Sequence, residues 1–224
     1  MSTSLLPSIE LETGANPDAA VIVLHGLGAD GNDFVPIVEE LKLPPPVSVR
    51  FVFPHAPVRR VTINGGHPMR AWYDIVEADL SNRADLTGVR ESQAQVEALI
   101  AREQTRGIEP RRIIIAGFSQ GGAVALYTAL RHRERLGGVV ALSTYLIDGA
   151  SLEHQASAEN ADLPIFMAHG TQDPVVRLAW AEASRQALQR AGYPVEWRTY
   201  PMPHSVVWEE IAAIGEFLGR VLKS

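Results

Sequence analysis

The chain has 224 residues, of which 46% are hydrophobic and 21% are charged, the composition of an ordinary globular protein. Its formal net charge of −6 argues against a surface for nucleic acid or anionic membrane, which would need a basic patch. The absence of cysteine excludes disulfides, thiolate zinc sites and a cysteine nucleophile.

The amino-terminal segment Met1–Pro7 lacks the basic start and long apolar core of a signal peptide. No later apolar run approaches the length of a membrane span, so we expect a cytoplasmic protein with no integral membrane segment. No internal repeat or shift in composition marks a boundary. We therefore expect one domain over residues 1–224.

Short runs rich in valine and isoleucine predict buried strands. They are Ala19–Leu24, Val47–Phe53, Ile113–Ala116, Gly138–Leu142, Leu163–Ala168 and Val195–Tyr200. Helical patterns cover Asp33–Leu41, Arg90–Arg106, Gly121–Arg133, Leu178–Ala191 and Val207–Val221, and the predicted loops are Pro44–Pro46, His55–Leu86 and Ser143–Asp162. This alternation predicts an α/β fold with a mainly parallel sheet, helices on both faces and ligands beyond the carboxyl ends of the strands.

The segment Gly117-Phe118-Ser119-Gln120-Gly121 matches the G-x-S-x-G pattern of a nucleophile elbow. It follows a predicted strand and precedes a predicted helix, which is the setting that such an elbow requires. Small residues at both glycine positions allow the strand and the helix to approach closely. We therefore predict Ser119 as a nucleophile; a Gly-Ser-Gly turn without chemistry is the alternative.

A serine nucleophile needs a histidine base and a carboxylate that orients it, in the chain order Ser, Asp or Glu, His. The histidines after Ser119 are His132, His154, His169 and His204. We expect His132 and His154 to be surface residues and His169 to be hydrogen-bonded in its own turn. His204 follows the last predicted strand, with Ser205 as a candidate helix N-cap, and Asp173 follows the strand before it. This order predicts His204 as the base and Asp173 as its orienting residue.

Two backbone N–H groups are needed to stabilise the oxyanion of an acyl-transfer intermediate. The N–H of Gln120, directly after the nucleophile, is the first candidate. The glycine-rich segment after the first predicted strand supplies the second, which we assign to Leu27. No cofactor is implied, because the sequence has neither an H-E-x-x-H zinc motif nor a P-loop.

The same segment, Gly26–Gly31, also fits the G-x-G-x-x-G fingerprint of dinucleotide binding. That function needs an acidic residue after the next strand to hold the ribose. No Asp or Glu occurs between Glu40 and Asp74, so we disfavour an oxidoreductase.

With these motifs assembled, the sequence resembles the carboxylesterase and acyl-protein thioesterase family of small α/β-hydrolases, which also includes lysophospholipases. The resemblance spans nearly the whole chain. It rests on the blocks His25–Gly31, Met69–Asp74, Gly117–Gly122, His169–Val176 with its Asp173, and His204–Val206. Arg177 stands where the family often has proline, and Pro203 where some members have glycine.

The resemblance implies an α/β-hydrolase fold, a triad of Ser119, Asp173 and His204, and oxyanion donors at Leu27 and Gln120. A chain of 224 residues leaves little room for a large lid domain, so we expect none. The resemblance also implies that Trp72 borders the substrate pocket. Without the resemblance, a tryptophan at this position is explained equally well as an apolar anchor for its own loop. The implied substrates are small or medium acyl esters, and also thioesters, lysophospholipids or acylated proteins. A catalytically silent hydrolase fold that binds a ligand is the alternative, and the oligomeric state stays open.

Overall fold

The computed structural model describes residues 5–45, 47–77 and 85–223. Its strands are β1 (Ser8–Glu12), β2 (Ala19–Leu24), β3 (Val49–Pro54), β4 (Val58–Val61), β5 (His67–Arg70), β6 (Ile113–Phe118), β7 (Gly138–Leu142), β8 (Ile165–Gly170) and β9 (Val195–Tyr200). Its α-helices are α1 (Leu86–Thr105), α2 (Gln120–Ala129), α3 (Leu152–Gln155), α4 (Leu178–Arg190) and α5 (Trp208–Val221). Short 3₁₀ helices cover Val35–Leu41, Thr62–Asn64, Pro110–Arg112, Gly149–Ser151 and Ala158–Asn160.

Seven of the described strands form one sheet in the order β1-β3-β2-β6-β7-β8-β9. β1 runs antiparallel to β3, and the other neighbouring strands pair in parallel. β4 and β5 form a separate antiparallel pair. This arrangement is an α/β-hydrolase fold with a mainly parallel central sheet, as the sequence predicted.

The central strands are buried on both faces, which explains their unbroken apolar runs. Alternate side chains divide between two cores: Ile22 and Ile115 pack with α1, α2 and α4, whereas Val21 and Ile114 pack with α5 and the 3₁₀ helix at Val35–Leu41. The helices therefore cover both faces of the sheet, which leaves the carboxyl ends of its strands as the place for a site.

Several predicted boundaries were wrong. The helix expected at Arg90–Arg106 begins at Leu86, because Asp85 caps it by accepting the backbone N–H of Gly88 at 3.0 Å. The helix expected from Asp33 is a 3₁₀ helix, the loop after His55 contains the hairpin of β4 and β5, and the one after Ser143 contains short helices. Strand β1 was not predicted.

Parts of three predicted segments lie outside the described residues: residues 1–4 of the amino terminus, Pro46 of the proline run and residues 78–84 of the loop after His55. In the described part of the chain, no helix combines the length and the apolar character needed to cross a membrane.

Candidate active site

Ser119 lies at the sharp turn between β6 and α2. Its backbone has a φ of 54° and a ψ of −120°, a strained conformation for a residue with a side chain. Two hydrogen bonds hold it there: the N–H of Ser119 donates to the carbonyl of Leu142 at 2.8 Å, and the hydroxyl of Thr144 donates to the carbonyl of Ser119 at 2.6 Å. The end of β7 thus fixes the turn at the end of β6.

The glycines of the elbow stand where backbones touch. A Cβ at Gly117 would lie 2.4 Å from the carbonyl carbon of Gly121, and a Cβ at Gly121 would lie 2.2 Å from the carbonyl oxygen of Leu24. Both distances are far below van der Waals contact, so any side chain would push α2 away from β6 and β2. The two glycines are required by packing around Ser119.

His204 and Asp173 come from neighbouring loops and meet beside the elbow. Nδ1 of His204 lies 2.6 Å from Oδ2 of Asp173, whose side chain is fully buried, while the His204 side chain is 17% exposed. The other oxygen of Asp173, Oδ1, accepts the backbone N–H groups of Val175 and Val176 at 2.8 and 2.9 Å. The carboxylate is therefore held on both of its oxygens.

The loop that carries His204 approaches the loop after β8 very closely. A Cβ at Gly170 would lie 2.3 Å from the carbonyl oxygen of Met202. The N–H groups of Thr171 and Gln172 donate to the carbonyls of Tyr200 and Met202. Backbone contact between the two loops thus places His204 within reach of Asp173.

Ser119 and His204 both line one cavity of about 370 Å³. The ring of Phe118 packs against the ring of His204, with 4.7 Å between the centroids. The other lining residues are mainly apolar: Gly26, Leu27, Ala29, Asp33, Ile63, Asn64, Ile75, Phe118, Gln120, Tyr145, Val175 and Val176. The residues predicted as nucleophile, base and oxyanion donors therefore border the same space.

The loop after β2 presents its amides in a fixed arrangement. The N–H of Gly28 donates to the carbonyl of Arg70, and the N–H of Ala29 donates to the carbonyl of Gly26. The N–H of Leu27 has no acceptor among the described residues. The N–H of Gln120 is the first of α2 and has no acceptor within the helix. These two donors remain for a ligand.

His25, to which the sequence motifs assigned no role, supports this loop. Its ring is buried and donates from Nδ1 to the carbonyl of Gly26 at 2.7 Å, while Nε2 accepts the N–H of Ala56 at 3.0 Å. Burial lowers the pKa of His25 below its ordinary value, which favours this neutral form. Its position after a predicted strand was the available signal, but the contact with Ala56 is not readable from sequence.

Trp72 is completely buried and does not line the cavity. Its indole N–H donates to the carbonyl of His25, and its backbone N–H donates to the side-chain oxygen of Gln120, both at 2.8 Å. The Gln120 amide in turn donates to the carbonyl of Tyr73. Trp72 therefore joins the two segments predicted to carry the oxyanion donors, and it does not border the cavity.

Three further sequence expectations have clear outcomes. His132 was expected at the surface but is buried, with Nδ1 2.6 Å from a carboxylate oxygen of Glu97, because α2 ends at Ala129 and the chain turns inward. His154 is exposed, as predicted. Ser205 is not the N-cap of α5; that position belongs to Val207.

His169 is hydrogen-bonded at the end of β8, but its Nε2 contacts the carbonyl of Val176 at 2.8 Å, in the loop after Gly170 and not in the turn before it, where the bond was predicted. The glycine-rich segment after β2 leads through turns to the short 3₁₀ helix at Val35–Leu41. It therefore lacks the α-helix N-terminus that holds the pyrophosphate in a dinucleotide site.

The chain is also similar to known proteins along nearly its whole length. The family model described as "Phospholipase/Carboxylesterase" matches residues 8–222. The chain is 39% identical to "Acyl-protein thioesterase 1" of Neurospora crassa, over 95% of this chain and 90% of that protein. It is 37% identical to the protein of the same name in Yarrowia lipolytica, over 97% and 98% of the two chains.

Two solved structures extend the likeness to three dimensions. Arabidopsis thaliana SOBER1 superposes with a TM-score of 0.86 at 33% identity, covering 91% of this chain and 99% of that one. Zea mays acyl-protein thioesterase 2 superposes with a TM-score of 0.84 at 30% identity, covering 96% and 99%.

Proposed function

Because the chain belongs to the phospholipase/carboxylesterase family and is a serine hydrolase acting on acyl groups, we propose that Ser119 is its nucleophile, His204 its base and Asp173 the residue that orients His204. The observation that carries the proposal is the Asp173–His204 hydrogen bond beside a cavity that Ser119 and His204 both line. The strained turn at Ser119 adds the presentation that an attacking hydroxyl needs.

The reaction begins when Nε2 of His204 takes the proton of the Ser119 hydroxyl, since Nδ1 is engaged by Asp173. The serine oxygen forms a bond to the acyl carbonyl carbon, and the carbonyl oxygen gains the negative charge. His204 then gives its proton to the departing alcohol or thiol as that bond breaks. Water attacks the acyl-Ser119 intermediate by the same route and releases the carboxylic acid.

The oxyanion is stabilised by the backbone N–H groups of Leu27 and Gln120. Their segments are held in place before substrate arrives, by His25 on one side and by the Trp72–Gln120 contact on the other. Donors that need no rearrangement are the effective ones, and loss of one typically costs about 10²–10³ in kcat.

The substrates that fit are small to medium acyl esters and thioesters. Ile63, Ile75, Val175 and Val176 give the cavity apolar walls suited to an acyl chain. The relatives named acyl-protein thioesterases extend the proposal to acylated proteins, and the family description extends it to lipid-like esters.

The test compares turnover of p-nitrophenyl esters and matched thioesters with acyl chains of increasing length, in the wild type and in Ser119→Ala. We expect Ser119→Ala to lose turnover and also labelling by a fluorophosphonate probe, and His204→Ala to label far more slowly. Ser205→Ala is the matched control, because its hydroxyl lies next to His204 in the chain but has no proposed role. Equal turnover by Ser119→Ala and the wild type contradicts the proposal. Absence of labelling in folded wild type favours a binding module.

A further inference from the structure

His169 contacts the same turn as Asp173 but has no part in the proposed mechanism. Its ring is fully buried beneath the Asp173 loop, and its Nε2 lies 3.5 Å from Oδ2 of Asp173. The carboxylate oxygen that bonds His204 therefore has a second imidazole beside it.

The hydrogen bond of His169 fixes which nitrogen carries the proton. Nε2 lies 2.8 Å from the carbonyl oxygen of Val176, and a carbonyl can only accept, so the proton is on Nε2. The other nitrogen, Nδ1, is buried without a hydrogen-bond partner among the described residues. The ring thus makes one hydrogen bond, to Val176, besides its longer contact with Asp173.

That arrangement is poor for stability. A buried ring nitrogen without a partner costs free energy, and an apolar side chain of similar size would fill the same space without this cost. A histidine is therefore better explained by the hydrogen bond that it donates than by its packing.

The recipient of that bond is the residue that holds the carboxylate. Val176 accepts from His169 through its carbonyl and donates through its own N–H to Oδ1 of Asp173 at 2.9 Å. We infer that His169 is a positioning residue for the hydrolase reaction, which sets the direction of Asp173 and, through it, the ring of His204. This inference rests on the proposed function of the triad.

The ring must stay neutral for this purpose, because a charged His169 would compete with His204 for the negative charge of Asp173. Burial lowers the pKa of His169 below its ordinary value. The charged and titratable groups that face it are Asp173, His204 and Glu182, of which His204 opposes protonation of the ring and the two acids favour it.

Two substitutions separate positioning from packing. His169→Gln keeps an N–H donor at the reach of Nε2, whereas His169→Leu keeps the volume and removes the donor. We expect His169→Leu to lower kcat about 10- to 100-fold through misalignment of the base, with KM nearly unchanged. The melting temperature should fall only in His169→Leu, where the carbonyl of Val176 loses its donor. His169→Gln should recover most of kcat. The apparent pKa of the base in the profile of kcat/KM against pH should fall in His169→Leu and not in His169→Gln.

If His169 had a purely structural role, both variants would have a lower melting temperature and the folded fraction would keep the wild-type pH profile. That result overturns the inference. A measurement on the wild type needs no substitution: ¹⁵N shifts of the His169 ring should report the neutral Nε2–H form throughout the active pH range. An imidazolium there also overturns it.

Fluorophosphonate labelling keeps the two proposals apart. If Ser119→Ala is labelled like the wild type, the proposed triad fails. If Ser119→Ala is silent and folded His169→Leu is labelled at the wild-type rate, only the positioning role fails.

Discussion

Asp173 and Glu210 are both buried carboxyl groups, but their surroundings differ. Asp173 bonds the His204 ring through one oxygen and accepts two backbone N–H groups on the other. Glu210 lies in the first turn of α5, and neither of its oxygens has a hydrogen-bond partner among the described residues. Burial raises the pKa of Glu210 to about 8, and the nearby N–H of Val207 offsets this only in part.

The difference lies in what the local backbone supplies. The turn at residues 173–176 aims two N–H groups at one carboxylate oxygen of Asp173, whereas the first turn of α5 offers Glu210 only the nearby N–H of Val207. A buried carboxyl group without such donors favours its neutral form. The hold on the Asp173 carboxylate is therefore a property of the turn as much as of the aspartate.

The largest effect is expected from Asp173→Asn, which removes the charge and keeps the shape. The amide donates where the carboxylate accepted, so His204 is held in the wrong tautomer, and we expect kcat to fall about 10⁴-fold. Turnover of a p-nitrophenyl ester measures this. The control is Asp162→Asn, because the Asp162 side chain is 85% exposed and pairs with Arg135 and not with a residue of the triad. If kcat of Asp173→Asn stays within a few-fold of the wild type, the proposed role of Asp173 is wrong.

A third buried acid, Glu103, differs from Asp173 and Glu210 because its carboxylate is paired with arginine side chains. Glu103 is fully buried and contacts Arg50, Arg102 and Arg106 within 3.1 Å. We expect Glu103→Gln to lower the free energy of unfolding by about 3 kcal/mol, since the three arginines then share only the carboxylates of Glu10 and Glu12. Kcat of the folded enzyme should stay unchanged.

Urea unfolding measures the effect of Glu103→Gln. Glu109→Gln is its control, because Glu109 pairs with Arg111 at the exposed surface, where loss of an ion pair costs about 1 kcal/mol or less. Equal losses in the two variants would show that burial of Glu103 does not matter.

The smallest effect concerns Glu210 and pH. Its pKa of about 8 in the folded state lies above the ordinary value of 4.5, so the folded state binds the Glu210 proton more tightly than the unfolded state does. The protonated side chain therefore stabilises the fold, and this stabilisation is lost as the pH rises through 8. We expect the wild type to lose about 2 kcal/mol of unfolding free energy from this group between pH 6 and pH 8. Glu210→Gln should remove that loss, and an unchanged pH slope in urea unfolding would contradict it.

The sequence predicted the parts of the site whose signals are local. The elbow at Ser119 lies between a valine- and isoleucine-rich run and a helix, and Asp173 and His204 each follow a strand in chain order. Such patterns follow from the periodicity of burial and from the small residues that a tight turn requires. The geometry brings Asp173 and His204 together as expected, and their roles stay predictions.

Features that depend on distant contacts were not predicted. β4 reads Val58-Arg59-Arg60-Val61, which lacks the alternation of a half-buried strand, and it is paired only because β5 returns beside it. His132 lies between two arginines in sequence yet turns inward to Glu97. The burial of Glu210 could not be predicted either, because the sequence of α5 does not show which other parts of the chain cover this residue. By contrast, β1 carries the alternation Ser8-Ile9-Glu10-Leu11-Glu12, a signal that was present and missed.

The order of strands in the sheet also governs when the enzyme becomes competent during synthesis. β2 pairs with β6, whose residues follow about 90 positions later, so the centre of the sheet closes only after the elbow has been made. His204 comes later still, and α5, which covers one sheet face, follows it. A ribosome-bound chain that already displays Ser119 thus still lacks His204. We expect the nascent protein to remain unreactive toward acyl donors until His204 and α5 have emerged.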